Sequence, residues 1–141
     1  MSVLVGLDTK VLVQGMGKTG RFHTDKAIAY GTKMVGAVHP SRAGEVELFD
    51  GDTDRSGVPG RPDTYNVEVP IYRSVSDAVA GTGATASVIY VPPPFAADAI
   101  MEAADAGLDL VICVTEGIPV SDMVVANRYL QDRDTRLVGP N

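Results

Sequence analysis

Cysteine is nearly absent. The one thiol, Cys113, lies between apolar neighbours, so a disulfide framework and a cysteine-built metal cluster are both excluded. Packed in a strand, it behaves as a small hydrophobe. Long apolar runs are missing too. No stretch approaches the ~20 residues that a membrane span requires. Residues 1–6 have neither a basic region nor an extended apolar core. They read as neither signal nor transit peptide, and the expected location is the cytoplasm. Positive charge is scarce: 12 Lys and Arg stand against 18 Asp and Glu, for a net charge of −6. With no basic stripe, nucleic acid is not an expected partner. There is no internal repeat and no low-complexity tract.

What is present fits one soluble domain. A chain of 141 residues, 45% apolar and 21% charged, can bury about two-thirds of its unfolded surface. Strand-like and helix-like stretches alternate. Strands are expected at 10–14, 33–38, 69–72, 86–91, 110–114 and 136–138. Helices are expected at 21–30, stopped by Gly31, from the capping residue Ser74 to Ala80, at 95–106, closed by Gly107, and from the cap Ser121 to Asp132. Residues 3–8 form a leading segment without an assigned role. Residues 45–66 are rich in Gly, Pro and Asp and read as an extended, mobile surface loop with room for one hairpin. The alternation predicts an α/β fold, a Rossmann-like doubly wound and mainly parallel sheet, in a single domain over residues 1–141.

The most informative stretch runs from Val11 to Gly20. A buried strand enters three glycines, Gly15, Gly17 and Gly20, spaced G-x-G-x-x-G, and a helix follows. Glycine lets the backbone turn sharply and approach a ligand. The free N–H groups of the helix start favour an anion. The spacing alone is a weak signal, but here it has the strand before it and the helix after it that the motif requires. A kinase-type phosphate loop is excluded, because its first glycine would fall at Leu12.

In such a sheet the ligand lies outside the carboxyl ends of the strands, where strand order reverses. Those ends carry the Gly15–Gly20 loop, His39 to Arg42, Val91 to Pro94, Val114 to Gly117, and Gly139 to Asn141. Nicotinamide enzymes place Asp or Glu at the end of the second strand to hold the ribose. That place here reads Val38-His39-Pro40, followed by Arg42, and a basic residue suits a phosphate on the ribose instead. Two ligands remain at this point: the phosphorylated nicotinamide cofactor and coenzyme A with its 3′-phosphate.

Longer blocks carry a resemblance. Gln14-Gly15, Gly20-Arg21-Phe22-His23, the run from Ala27 to Gly36, the run from Gly83 to Pro92, Thr115-Glu116-Gly117-Ile118-Pro119 and Gly139-Pro140-Asn141 resemble the N-terminal domain of succinyl-CoA synthetase α subunits. The resemblance covers nearly the whole chain except residues 45–66, which are longer than the family's usual segment. The glycine loop looks one residue shorter. The resemblance implies a domain that binds coenzyme A and works with a β subunit. It implies that Gly17, Lys18 and Thr19 meet the coenzyme's phosphates, within the loop whose Gly15 and Gly20 are also cofactor-binding candidates, with Arg42 near the nucleotide end. Tyr90, Val91 and Pro92 would form one wall of its path, and Val114, Thr115 and Glu116 would line the other. It also implies that the phosphorylated histidine belongs to a second domain that these residues do not include. No catalytic residue and no metal ligand is therefore assigned here. The alternatives are a stand-alone coenzyme A-binding or regulatory module and an NAD(P)-binding oxidoreductase fragment.

Blander readings apply to several of these residues. His23, one turn into a helix, reads as a packing residue. His39, at a strand end, is a weaker candidate for ligand contact. Lys18 reads equally well as a solvated loop lysine, and Glu116 as a helix-start charge. The Pro92-Pro93-Pro94 run stops a strand whether or not it touches ligand.

Overall fold

The computed structural model describes residues 3–140; the Asn141 of the terminal motif lies outside them. The elements are β1 (Lys10–Gln14), α1 (Lys18–Tyr30), β2 (Lys33–Val38), a 3-10 turn (Pro40–Arg42), β3 (Val46–Asp52), β4 (Thr64–Tyr72), α2 (Val75–Thr82), β5 (Ala86–Ile89), α3 (Pro93–Asp105), β6 (Leu110–Cys113), α4 (Val120–Leu130) and β7 (Arg136–Val138). They form one seven-stranded sheet in the order β3-β4-β2-β1-β5-β6-β7. Every neighbouring pair is parallel except β3 with β4. The chain winds outward from β1 through β2 to β4, then returns to β5 beside β1 and winds the other way. Strand order therefore reverses between β1 and β5, and a crevice opens outside their carboxyl ends.

Both sheet faces bury apolar side chains. On one face Val75 and Ala78 of α2, the alanines and Ile100 of α3, and Ala126 of α4 pack on Leu12, Ile89, Val111 and Cys113. Alanine predominates on α3, which lets that helix lie close to the sheet. On the other face α1 lays Ile28 over Val13, Met34 and Ala37, and the hairpin adds Phe49, Val69 and Ile71. A buried polar group ties the first face to β1. Gln14 Nε2 donates to the Ala99 carbonyl at 2.9 Å and Ser87 Oγ donates to Gln14 Oε1 at 2.6 Å. Both ends of a fully buried amide are thus satisfied.

Several boundaries differ from the sequence reading. Helix α1 begins at Lys18, not Arg21, so the last glycine of the loop sits inside its first turn. Helix α3 begins at Pro93, because proline is well suited to the first helical position, where no N–H is needed. Ser121 does not cap α4, which starts one residue earlier with Pro119 at the capping position. Ser74 does cap α2, accepting from the Asp77 N–H at 3.1 Å.

The largest correction concerns residues 45–66. The hairpin for which they have room takes up most of them, so they are not an extended loop. Val46 to Asp52 pairs antiparallel with Thr64 to Pro70, and only residues 53–63 connect the two arms. Nor is that connection a loose excursion. Val58 N–H donates to the Tyr30 carbonyl at 3.0 Å and Asp54 N–H to the Ala29 carbonyl at 2.9 Å. Arg61 Nη1 reaches the carbonyls of Ile28 and Ala29 at 2.9 and 3.1 Å. The last carbonyls of a helix lack intrahelical donors and carry its negative end. This connection supplies both donors and positive charge, so it acts as a cap for α1.

Candidate functional site

The site begins with two close approaches of backbone. Gly15 leaves β1 with φ +97°, and a Cβ there would lie 2.9 Å from the Val91 nitrogen. A Cβ on Gly20 would lie 2.0 Å from the Gly15 carbonyl oxygen. Only glycine fits at either place, and the pair folds the loop tightly against the tip of β5. Gly17 differs. It is the N-cap of α1, has φ −83°, and a Cβ there would meet nothing within 4 Å. No side chain caps this helix, and its first turn holds no acidic residue. Gly17, Lys18 and Thr19 are exposed beside the crevice, and an uncapped helix start with no acidic residue is an arrangement suited to an anion.

Neighbouring strand tips are tied to this loop in sheet order. Gly15 N–H donates to the Val38 carbonyl at 3.1 Å, and Tyr90 N–H to the Gln14 carbonyl at 2.8 Å. Thr115 Oγ1 donates to the Val91 carbonyl at 2.8 Å, which joins the tips of β6 and β5. The predicted candidates Gly15, Gly17, Lys18, Thr19, Gly20, Val91, Pro92, Val114, Thr115 and Glu116 thus all lie at the carboxyl ends of β1, β5 and β6. Lys18, Thr19, Pro92, Val114 and Glu116 are exposed there.

Two candidates stand differently. The Tyr90 ring lies on the α1 side of the sheet, stacked on His23 with centroids 5.3 Å apart and planes 4° from parallel. Burial raises its phenol pKa. His23 is thus held by aromatic packing. The two rings stand at one end of an apolar groove of about 810 Å³ that follows α1 past Thr24 and Ala27 towards Thr9 and Lys33. None of Gly15 to Gly20 lines that groove, so the anion-binding geometry belongs to the strand tips.

Arg42 reaches the glycine loop, and each of its three nitrogens already has a partner. Its Nη1 donates to the Met16 carbonyl at 3.0 Å, its Nε to Glu45 at 2.8 Å and its Nη2 to Glu47 at 2.5 Å. Glu47 also accepts from Arg21 Nε at 3.2 Å, and the Arg21 guanidinium lies 4.8 Å from the centre of the Phe49 ring. Bonding to Arg42 holds the Glu47 carboxyl below the usual glutamate range. Arg21, Glu45 and Glu47 were not legible as site neighbours, because the antiparallel pairing of β3 with β4 is what carries both carboxylates to the loop. The position of Arg21, directly after the last glycine, was the one local signal. His39 is half-buried at the tip of β2, with its Nδ1 3.1 Å from Ser41 Oγ. Among the described residues no group of three or more His, Cys, Asp or Glu could hold a metal ion.

A glycine loop feeding an uncapped helix at the reversal of strand order defines a Rossmann-like nucleotide-binding domain. Comparison narrows the class. Residues 7–117 match the CoA binding domain family, and the chain belongs to it. It is 53% identical over 142 aligned positions to the α subunit of the ADP-forming succinate–CoA ligase of Staphylococcus aureus (strain N315). That match covers 100% of this chain and 41% of the relative, and it falls on the relative's N-terminal portion. Among solved structures, ATP citrate lyase from Methanothrix soehngenii in complex with citrate and coenzyme A superposes with a TM-score of 0.69 at 22% identity, over 98% of this chain and 21% of that one. The scyllo-inositol dehydrogenase of Lactobacillus casei superposes with a TM-score of 0.59 at 17% identity, over 92% and 35%. These two likenesses concern the fold. The family match and the 53% relative are what separate a coenzyme A domain from a nicotinamide one.

Proposed function

We propose that this domain binds coenzyme A at the Gly15–Gly20 loop and positions it within a succinate–CoA ligase, in partnership with a β subunit in the cytoplasm. The observation that carries the reading is the bare N-terminus of α1, presented by Gly15 and Gly20 at the strand reversal in a chain of the CoA-binding family. The diphosphate accepts from the amides of Lys18, Thr19 and Gly20, with the Lys18 ammonium adding charge. Val91, Pro92, Val114 and Thr115 border the path of the pantetheine arm. In the complete ligase the thiol so placed attacks succinyl phosphate, displacing phosphate and forming the thioester. The domain's contribution is orientation, which turns an encounter into an effectively intramolecular step.

Calorimetric titration tests this. Coenzyme A should bind more tightly than NAD or NADP, and the 141 residues alone should form no succinyl-CoA from succinate, nucleotide and coenzyme. Preference for NADP over coenzyme A would overturn the ligand assignment. Turnover by these residues alone would overturn the division of labour.

A further inference from the structure

Glu47 bridges two arginines beside the glycine loop, one carboxylate oxygen to each. One oxygen accepts from Arg42 Nη2 at 2.5 Å, the other from Arg21 Nε at 3.2 Å. Glu45 takes the Nε of Arg42 at 2.8 Å. The Nε/Nη2 edge of a guanidinium is the one that grips a phosphate through two parallel bonds. In Arg42 that edge is filled by the protein's own carboxylates, and the remaining Nη1 holds the Met16 carbonyl. The cluster of two arginines and two glutamates is neutral. A ligand phosphate can take the Nε/Nη2 edge of Arg42 only by displacing a carboxylate. The two glutamates are unequal in this. Glu45 is 53% exposed and free to swing out, whereas Glu47 is 16% exposed and held at both oxygens.

We propose that Glu47 is an internal counter-ion that occupies the place of a ligand phosphate on Arg21 and Arg42, and so sets the affinity of the site for phosphorylated ligands. This rests on the reading that coenzyme A phosphates lie at the glycine loop. Displacement frees both oxygens of Glu47 from their donors, and the incoming phosphate takes the same two. The residue is thus a specificity-setting group. A ligand with too little charge at this point does not dislodge it.

The test compares wild type, Glu47→Gln, Glu45→Gln and Arg42→Ala, with coenzyme A and with inorganic pyrophosphate as probes, and the melting temperature as a check of folding. Glu47→Gln should tighten binding of both probes by about three- to tenfold, the scale of one partly exposed opposing charge. Glu45→Gln should do less. The gain from Glu47→Gln should vanish when Arg42→Ala is also present, which a purely structural tether does not predict. Unchanged or weaker binding in folded Glu47→Gln, or a gain that survives Arg42→Ala, overturns the proposal. Pyrophosphate keeps the two ideas apart. If coenzyme A fails to bind any variant but pyrophosphate tightens as described, the counter-ion stands and the coenzyme reading falls.

Discussion

At the scale of single residues, the three glycines of one motif do different work. Gly15 and Gly20 shape the loop, because neither place has room for a side chain. Replacing either by Ala forces a Cβ into backbone atoms at 2.9 or 2.0 Å, and at Gly15 also requires a left-handed φ. Each substitution should lower stability by about 2 kcal/mol or more, measurable by chemical denaturation. Gly17 faces open space. Gly17→Ala should cost at most about 1 kcal/mol as a poorer N-cap, yet weaken coenzyme A binding, because its methyl would stand in the proposed path of the ligand. Equal destabilisation by all three would refute this division. The buried amide of Gln14 is a second case. Gln14→Leu leaves the Ser87 hydroxyl without its acceptor in the core and should cost about 1–3 kcal/mol.

At the scale of elements, the hairpin and its connection matter most. Arg61 brings a charge to the carboxyl end of α1 through two hydrogen bonds. Arg61→Ala should therefore cost about 1–2 kcal/mol and open residues 53–63 to proteolysis. The hairpin is also pinned to α1 by Tyr65, whose hydroxyl donates to Asp25 at 2.8 Å. Burial, with Asp25 beside it, pushes the Tyr65 phenol up to about 12 from 10.0. A raised phenol pKa adds stability that is complete below pH 10 and is lost as pH rises through 10 towards 12. Tyr65→Phe should remove that alkaline slope, as followed by thermal melts at stepped pH. This region is also where the sequence was least legible. Strands such as Lys33 to Val38 and Leu110 to Cys113 announce themselves as apolar runs because both their faces are covered. The arms of the hairpin do not, because β3 is an edge strand with Val46 and Leu48 exposed and acidic residues between. Its Gly, Pro and Asp composition describes a connection that gains its order from the end of a distant helix.

At the scale of the whole molecule, the site is a local exception to an acidic surface. The net charge is −6, and the two arginines nearest the loop are already paired with Glu45 and Glu47. In the proposed complex, the first attraction of the polyanionic coenzyme comes from Lys18 and the dipole of α1, before Glu47 is displaced. Binding should weaken as salt rises, but with a shallow slope, since few free cations take part. The crevice itself was legible from residue order alone, because β-α-β winding fixes where strand order reverses and which strand ends meet there. Which groups compete at its rim was not, because that depends on a register between distant strands. The most direct measurement is a crystal structure of the domain with coenzyme A. The account predicts the diphosphate within hydrogen-bond distance of the Lys18, Thr19 and Gly20 amides; a coenzyme seated instead in the apolar groove beneath α1, with the glycine turn empty, would contradict it.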